Sequence, residues 1–230
     1  MRRLLIVLFL VGPAAAVQAT QVVDDFESGT NPNQWGWTVG GSPYTIRPDG
    51  GNPGAWMDSG VPYMAEHPNL TSVPPPGSAL RDALASGALV SARIDFEQLD
   101  TTGVTGCFPR ASPRGPYTLM FMDLHSGPGG SLIEAHTTNG PPTSTAPFPW
   151  QTAGFTIPSS STDDVPPGWT LENGNLPGYT WSTLMHNIDG ISFYPGDPHI
   201  RTFKGCWHLG ADNVVVTYGD AIFANGFDVP

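Results

Sequence analysis

The chain has 230 residues, a net charge of −11, and 20 acidic residues against nine basic ones, of which Lys204 is the single lysine. A surface this acidic repels phosphate backbones and anionic headgroups, which argues against nucleic acid and membrane partners. The 28 glycines and 25 prolines recur at short intervals, leaving little room for long helices and excluding an α/β fold.

At the start, Arg2 and Arg3 precede an apolar run from Leu4 to Val11 and small residues at Val17 and Ala19. This order is that of a secretory signal peptide over residues 1–19, with cleavage after Ala19. The run falls short of the roughly 20 apolar residues of a bilayer span, so an uncleaved anchor is the weaker alternative and no membrane insertion is expected. Removing Arg2 and Arg3 changes the charge from −11 to −13. The mature chain is then secreted, periplasmic or held at the cell surface, beginning near Thr20.

Residues 20–219 are enough for one β domain, and 220–230 form a C-terminal tail. The stretch VVDDFESGTNPNQWGW (22–37) reads as a first strand, with Phe26 inward and its carboxylates at the sheet margin. SALRDALASG (78–87) predicts one short helix, capped by Ser78 and ended by Gly87. ALVSARIDFEQLD (88–100) sets Val90, Ala92, Ile94 and Phe96 against Leu89, Ser91, Arg93, Asp95 and Glu97, the alternation of a half-buried strand. PYTLMFMDLH (116–125) is nearly continuous in apolar residues, as a central strand requires. LHSGPGGSLIEAH then reads as the turn of a hairpin over 117–137, because Ser126 to Gly130 separate two strand patterns.

Further strands are expected at 150–158, 188–195 and 206–218, and turn-rich loops at 66–77 and 137–149. The whole pattern predicts an all-β fold, a two-sheet antiparallel β-sandwich of jelly-roll type with at most one short helix. Cys107 and Cys206 are the two cysteines, and in an exported chain such a pair predicts one disulfide.

Four motifs carry a resemblance: DDFESGTNPNQW, IRPDGGNPGAWM, ASGALVSARIDFEQL and LGADNVVVTYG. Together they resemble exported bacterial modules of the laminin B (domain IV)-like, concanavalin-like or galactose-binding-like jelly rolls. That resemblance implies a first strand DFE (Asp25 to Glu27) lying near a last strand DNV (Asp212 to Val214), and a GNPG turn at Gly51 to Gly54 before an apolar strand. The C-terminal DAIFANGFDVP is similar to the IFxNGFE tails of exported bacterial proteins.

Modules of this kind often hold one structural calcium through carboxylates of the first and last strands. Here that implies Asp25, Glu27 and Asp212 as ligands, hard oxygens suited to the ion. The bland alternative is that Asp24, Asp25 and Glu27 face water beside a buried Phe26. Exposed tryptophans make sugar platforms, and Trp35 and Trp37 among Asn31, Asn33 and Gln34, with Trp169 near Glu172, Asn173 and Asn175, are the ligand-binding candidates; packing is the competing role.

DFEQLD (95–100) departs from the E-x-D-x-x-E run of β-sandwich glucanases, and its Asp95 and Glu97 read as a solvated face. The hairpin's Asp123, His125, Glu134 and His136 form a metal-capable mixture whose convergence depends on register. The leading expectation is a non-catalytic module binding glycan or another extracellular polymer. The alternatives are an adhesive or structural envelope protein, and a glycoside hydrolase or polysaccharide lyase.

Overall fold

The computed structural model describes residues 19–27, 35–39, 44–60, 63–65, 68–101, 104–105, 114–125, 132–137, 140, 147–172, 177–200 and 205–219. The strands are β1 (Ala19–Asp24), β2 (Trp37–Val39), β3 (Thr45–Gly51), β4 (Gly54–Asp58), β5 (Tyr63–Ala65), β6 (Leu70–Ser72), β7 (Leu89–Gln98), β8 (Thr118–Asp123), β9 (Ile133–Thr137), β10 (Phe148–Thr156), β11 (Trp169–Glu172), β12 (Gly190–Tyr194), β13 (Gly205–Trp207) and β14 (Leu209–Gly219). Helix α1 (Ala79–Leu84) falls between β6 and β7, and α2 (Trp181–Met185) between β11 and β12.

One sheet has the order β10-β7-β14-β4-β3, with β1 also bonded to β14, and the other β11-β9-β8-β12-β6-β2. β5 and β13 form a separate two-stranded ribbon. The antiparallel pairings nest: β4 with β14, β6 with β12, β7 with β10, and β8 with β9. A long hairpin rolled over itself produces this order, so the two-sheet antiparallel sandwich expected from the sequence is a jelly roll.

The core lies between the sheets, where Ala92, Ile94, Phe96, Ala211, Val214 and Val216 of the first meet Leu119, Phe121, Ile191 and Phe193 of the second. β8 is buried at all six positions, as a strand flanked on both edges and covered on both faces should be. Ser78 caps α1 by accepting from Arg81 N–H, at 3.3 Å, and the helix buries Leu80, Ala83 and Leu84. The second helix, one more than the sequence predicts, is a single turn capped by Thr180 that inserts Trp181, Leu184 and Met185. Among the described residues no helix is long and apolar enough to cross a membrane.

Two details of phase depart from simple alternation. Leu89 is buried while Val90 is 44 % exposed, because the pairing of β14 with β7 shifts register between Thr217 and Tyr218. A second shift lies between Asp212 and Val215, where Asn213 adopts φ +48°. One extra residue there is a β-bulge, which turns Asp212 to the outer face and still directs Val214 and Val216 to the core. Asparagine tolerates this left-handed backbone better than any residue but glycine. Asn213→Val should therefore cost about 2–4 kcal/mol in denaturant unfolding, through backbone strain and the lost amide bonds, and Asn213→Gly clearly less. Equal losses would mean that the amide alone maintains the bulge.

Candidate functional site

The opening and closing strands do meet. β1 pairs with β14 over Asp24↔Val214 to Ala19↔Gly219, and β4 pairs with the same edge of β14 at Gly210 and Ala211. Asp212 and Asn213 occupy the interval between these two partners. The strand expected through residues 25–27 ends instead at Asp24. Phe26 takes φ +58°, an uncommon backbone for a bulky residue, and enters the core at 4 % exposure. That turn sends Asp25 and Glu27 different ways, so the predicted trio divides.

Asp25 Oδ1 accepts the Glu27 N–H at 3.1 Å within the exposed turn. Glu27 swings over the β3–β4 hairpin, where its Oε1 accepts the Ala55 N–H at 2.9 Å. Asp212 is fully buried, with Oδ2 accepting Asn52 N–H and Oδ1 accepting Asn213 N–H, each at 2.7 Å. Glycine is required on the hairpin: a Cβ at Gly51 would lie 2.8 Å from Asp212 Oδ2, and one at Gly54 would collide with the Glu27 carboxylate. The bend between them carries the cis Asn52–Pro53 bond.

Asp95, expected on a solvated face, is 5 % exposed. Its Oδ1 accepts from Thr152 Oγ1 at 2.6 Å, and its Oδ2 from Asn213 Nδ2 at 2.9 Å and Asn52 Nδ2 at 3.2 Å. Asn213 Nδ2 also bonds the Asn52 carbonyl. Outer-face strand positions become buried here because the hairpin folds over them. Burial, with the charges of Asp95 and Glu27, pushes the Asp212 carboxyl up to about 6 despite its two N–H donors. Asp24 also rises to about 6, mainly through burial, although the Phe26 N–H and Trp37 Nε1–H favour its charged form.

Farther along the same outer face, Trp150 is partly exposed. It meets Trp56 edge-on at 5.9 Å between centroids and donates Nε1–H to the Gly50 carbonyl at 3.2 Å. Its ring reaches over β14, since a Cβ at Gly210 would lie 3.0 Å from Trp150 Cη2 and 2.6 Å from Glu97 Cγ. Burial and the nearby Asp58 charge push the Glu97 carboxyl to about 7. Asp58 itself is held below the usual range: burial pushes it upward, but Arg47, the Gly60 N–H and His208 together overcome that. Arg47 Nε–H donates to Asp58 Oδ2 at 2.7 Å, and His208 Nε2 lies 2.8 Å from Oδ1.

The tryptophans singled out from sequence are core residues. Trp35 is 7 %, Trp37 1 % and Trp169 8 % exposed. Trp37 donates Nε1–H to Asp24 Oδ2 at 3.1 Å, and Trp169 stacks on Phe121 at 5.5 Å and meets Trp181 edge-on at 5.0 Å. Large indole area is used here for packing rather than display. Trp169 also borders a cleft of about 280 Å³ with Thr137, Gly154, Phe155 and Thr156, at the lower limit of ligand pockets. Asn173 and Cys107 lie outside the described residues; Cys206 is buried on β13.

The hairpin register resolves the metal-capable mixture into two groups. β8 and β9 pair as Met120↔His136, Met122↔Glu134 and Asp123↔Ile133. Asp123 therefore joins His125 and Asp189 at the sheet end, where every carboxylate oxygen is engaged. Asp123 accepts from His125 N–H and Tyr179 O–H, while Asp189 accepts from Leu124 N–H and meets His125 Nδ1 and Arg81. Glu134 and His136 face the other way, and His136 meets Glu172 and His199. Sequence reasoning missed His199, which is 63 positions from His136 and has no local pattern to mark it.

Comparison with described protein families, characterised proteins and solved structures finds no match to this chain.

Proposed function

We propose that this chain is an exported, non-catalytic jelly-roll module that binds an extracellular glycan on the outer face of its first sheet. The carrying observation is Trp150, partly exposed, braced edge-on by Trp56 and fixed through Nε1, beside Glu97 and the Arg47–Asp58–His208 cluster. An indole held in one orientation gives the apolar face of a sugar ring a prearranged surface. Neighbouring carboxyl, guanidinium and imidazole groups provide hydroxyl partners. This assigns to Trp150 the role that the sequence suggested for Trp35, Trp37 and Trp169.

A second reading, a glycoside hydrolase, is favoured by one observation: Glu97, with its carboxyl raised to about 7, stands near the ionised Asp58. Carboxyls whose environments push them apart are the pattern of an acid and its partner. In a polysaccharide panel, Trp150→Ala should weaken retention by roughly 30-fold or more, as loss of an anchoring tryptophan does, and Glu97→Gln should retain most of it. Turnover abolished by Glu97→Gln would replace the first reading with the second. Wild-type retention no better than that of Trp150→Ala would end the first.

The same reading includes a structural calcium held by Glu27 and Asp212, with Asp25 left out. The donors fit a hard cation: two carboxylates and backbone oxygens converge on a hairpin whose glycines leave room for them. When bound, the ion would neutralise two carboxylates that now oppose one another. Without it, Asp24 and Asp212 titrate near 6 in the folded chain against 3.8 as free groups. The folded state then holds protons that the unfolded chain has released, so stability is lost as pH rises from about 4 through about 6. In EDTA the melting temperature should be higher at pH 5 than at pH 7.5. Saturating Ca²⁺ at pH 7.5 should raise it by about 5–10 °C and narrow the difference. No response to Ca²⁺, or an undiminished one in Asp212→Asn, would remove the ion from this account.

Export and the Cys107–Cys206 bridge belong to this reading as well. The intact mass of purified mature protein should correspond to a chain starting at Thr20, with two hydrogens fewer than after reduction.

A further inference from the structure

On the outer face of the second sheet, His136 of β9, Glu172 at the end of β11 and His199 after β12 bring one ligand atom each within 4.8 Å of one another. His136 is 6 % exposed, yet its buried Nδ1 has no hydrogen-bond partner among the described residues. It lies 3.9 Å from Glu172 Oε1. An imidazole nitrogen enclosed by protein and left unsatisfied is costly.

His199 is arranged to complete the set. Its Nδ1 lies 3.2 Å from Asp197 Oδ1, and its Nε2 3.1 Å from Glu172 Oε1. A carboxylate on one ring nitrogen fixes the tautomer and presents the other nitrogen as a ligand, as in carboxylate–histidine–metal arrangements. Ligands placed tetrahedrally at about 2.0–2.2 Å from one ion stand roughly 3.3–3.5 Å apart, a spacing bracketed by the two distances to Glu172.

We propose that His136 Nδ1, His199 Nε2 and Glu172 Oε1 form a zinc site that ties the edge strand β11 and the segment after β12 to β9. Two imidazoles and one carboxylate suit a borderline divalent ion better than calcium. Zinc's filled d shell imposes no geometry of its own, so the unequal spacing is tolerated. The two rings now stack at 4.0 Å between centroids, tilted by 20°. An ion in the plane of both requires them to splay, and His199, with its side chain 37 % exposed, has the freedom to turn. Three protein ligands leave a fourth position for water or an incoming group.

The test uses the full mature chain, untagged, stripped with EDTA and returned to Ca²⁺, so that the Glu27–Asp212 proposal is held constant. Equilibrium dialysis against Zn²⁺ should give one ion per chain. His199→Gln and Glu172→Gln should each weaken binding by about 10-fold or more, and Asp197→Asn by about 10-fold. His186→Gln, outside the cluster and bonded to the Ser182 carbonyl, should leave binding unchanged. Co²⁺ in place of Zn²⁺ should give the intense visible bands of a four-coordinate centre, lost in His199→Gln. His136→Gln is buried and is read only if it folds; the two exposed ligands carry the test without it. Less than one zinc per chain at saturation, or binding indifferent to both His199→Gln and Glu172→Gln, would overturn the proposal.

Discussion

Strand β14 is bonded on one edge by two different partners in turn, and the rest of the first sheet is organised around that division. β4 pairs with it at Gly210 and Ala211, β1 from Val214 onward, and between them the strand must find other partners. The bulge at Asn213 turns that necessity into a site, because it directs Asp212 outward and lets the Asn52 main chain bond the Asp212 and Asn213 side chains across the break. Unpaired backbone at this depth would be expensive. The polar cluster is thus the means by which a two-partner edge is closed, and any ion held there would share that task.

The buried carboxylates illustrate how environment, rather than residue type, sets titration. Asp58 is met by Arg47 and His208 and is held down; Asp24 and Asp212 receive only neutral donors and are pushed up. With few cations in the chain, several buried carboxylates, Asp24, Asp95, Asp123 and Asp212, are met by neutral N–H, amide and hydroxyl donors. Such partners supply the hydrogen bonds but leave the charge uncompensated. Asp189 shows the contrasting solution, with Arg81 joining α1 to the end of the second sheet through both the side chain and the carbonyl.

Much of this was legible in the sequence for physical reasons. Glycine and proline punctuation, the alternation in 88–100 and the apolar run in 116–125 each reflect a strand's covered faces, and these gave the sandwich. The expected neighbourhood of first and last strands is present as β1 beside β14, although β1 ends at Asp24, before the DFE residues. What escaped was anything requiring a left-handed residue or a tertiary partner. Phe26 at φ +58° separates Asp25 from Glu27, and no local pattern announces it. Asp95 looked solvated by period, but a distant hairpin covers it. Trp35, Trp37 and Trp169 were indistinguishable from Trp150 by composition, and only the fold sorts core from surface. His136 and His199 meet through β11 and a turn far along the chain.

The nested pairing also has a temporal side. β14 is the last described strand in the sequence, and it is central in its sheet, holding β7 on one edge and both β1 and β4 on the other. Until it is present, three strands lack their shared neighbour, and the first sheet has no continuous hydrogen-bonded surface. Contacts of such long sequence separation carry a large loop-closure cost. A chain arranged this way cannot complete its first sheet until β14, its last described strand, is in place.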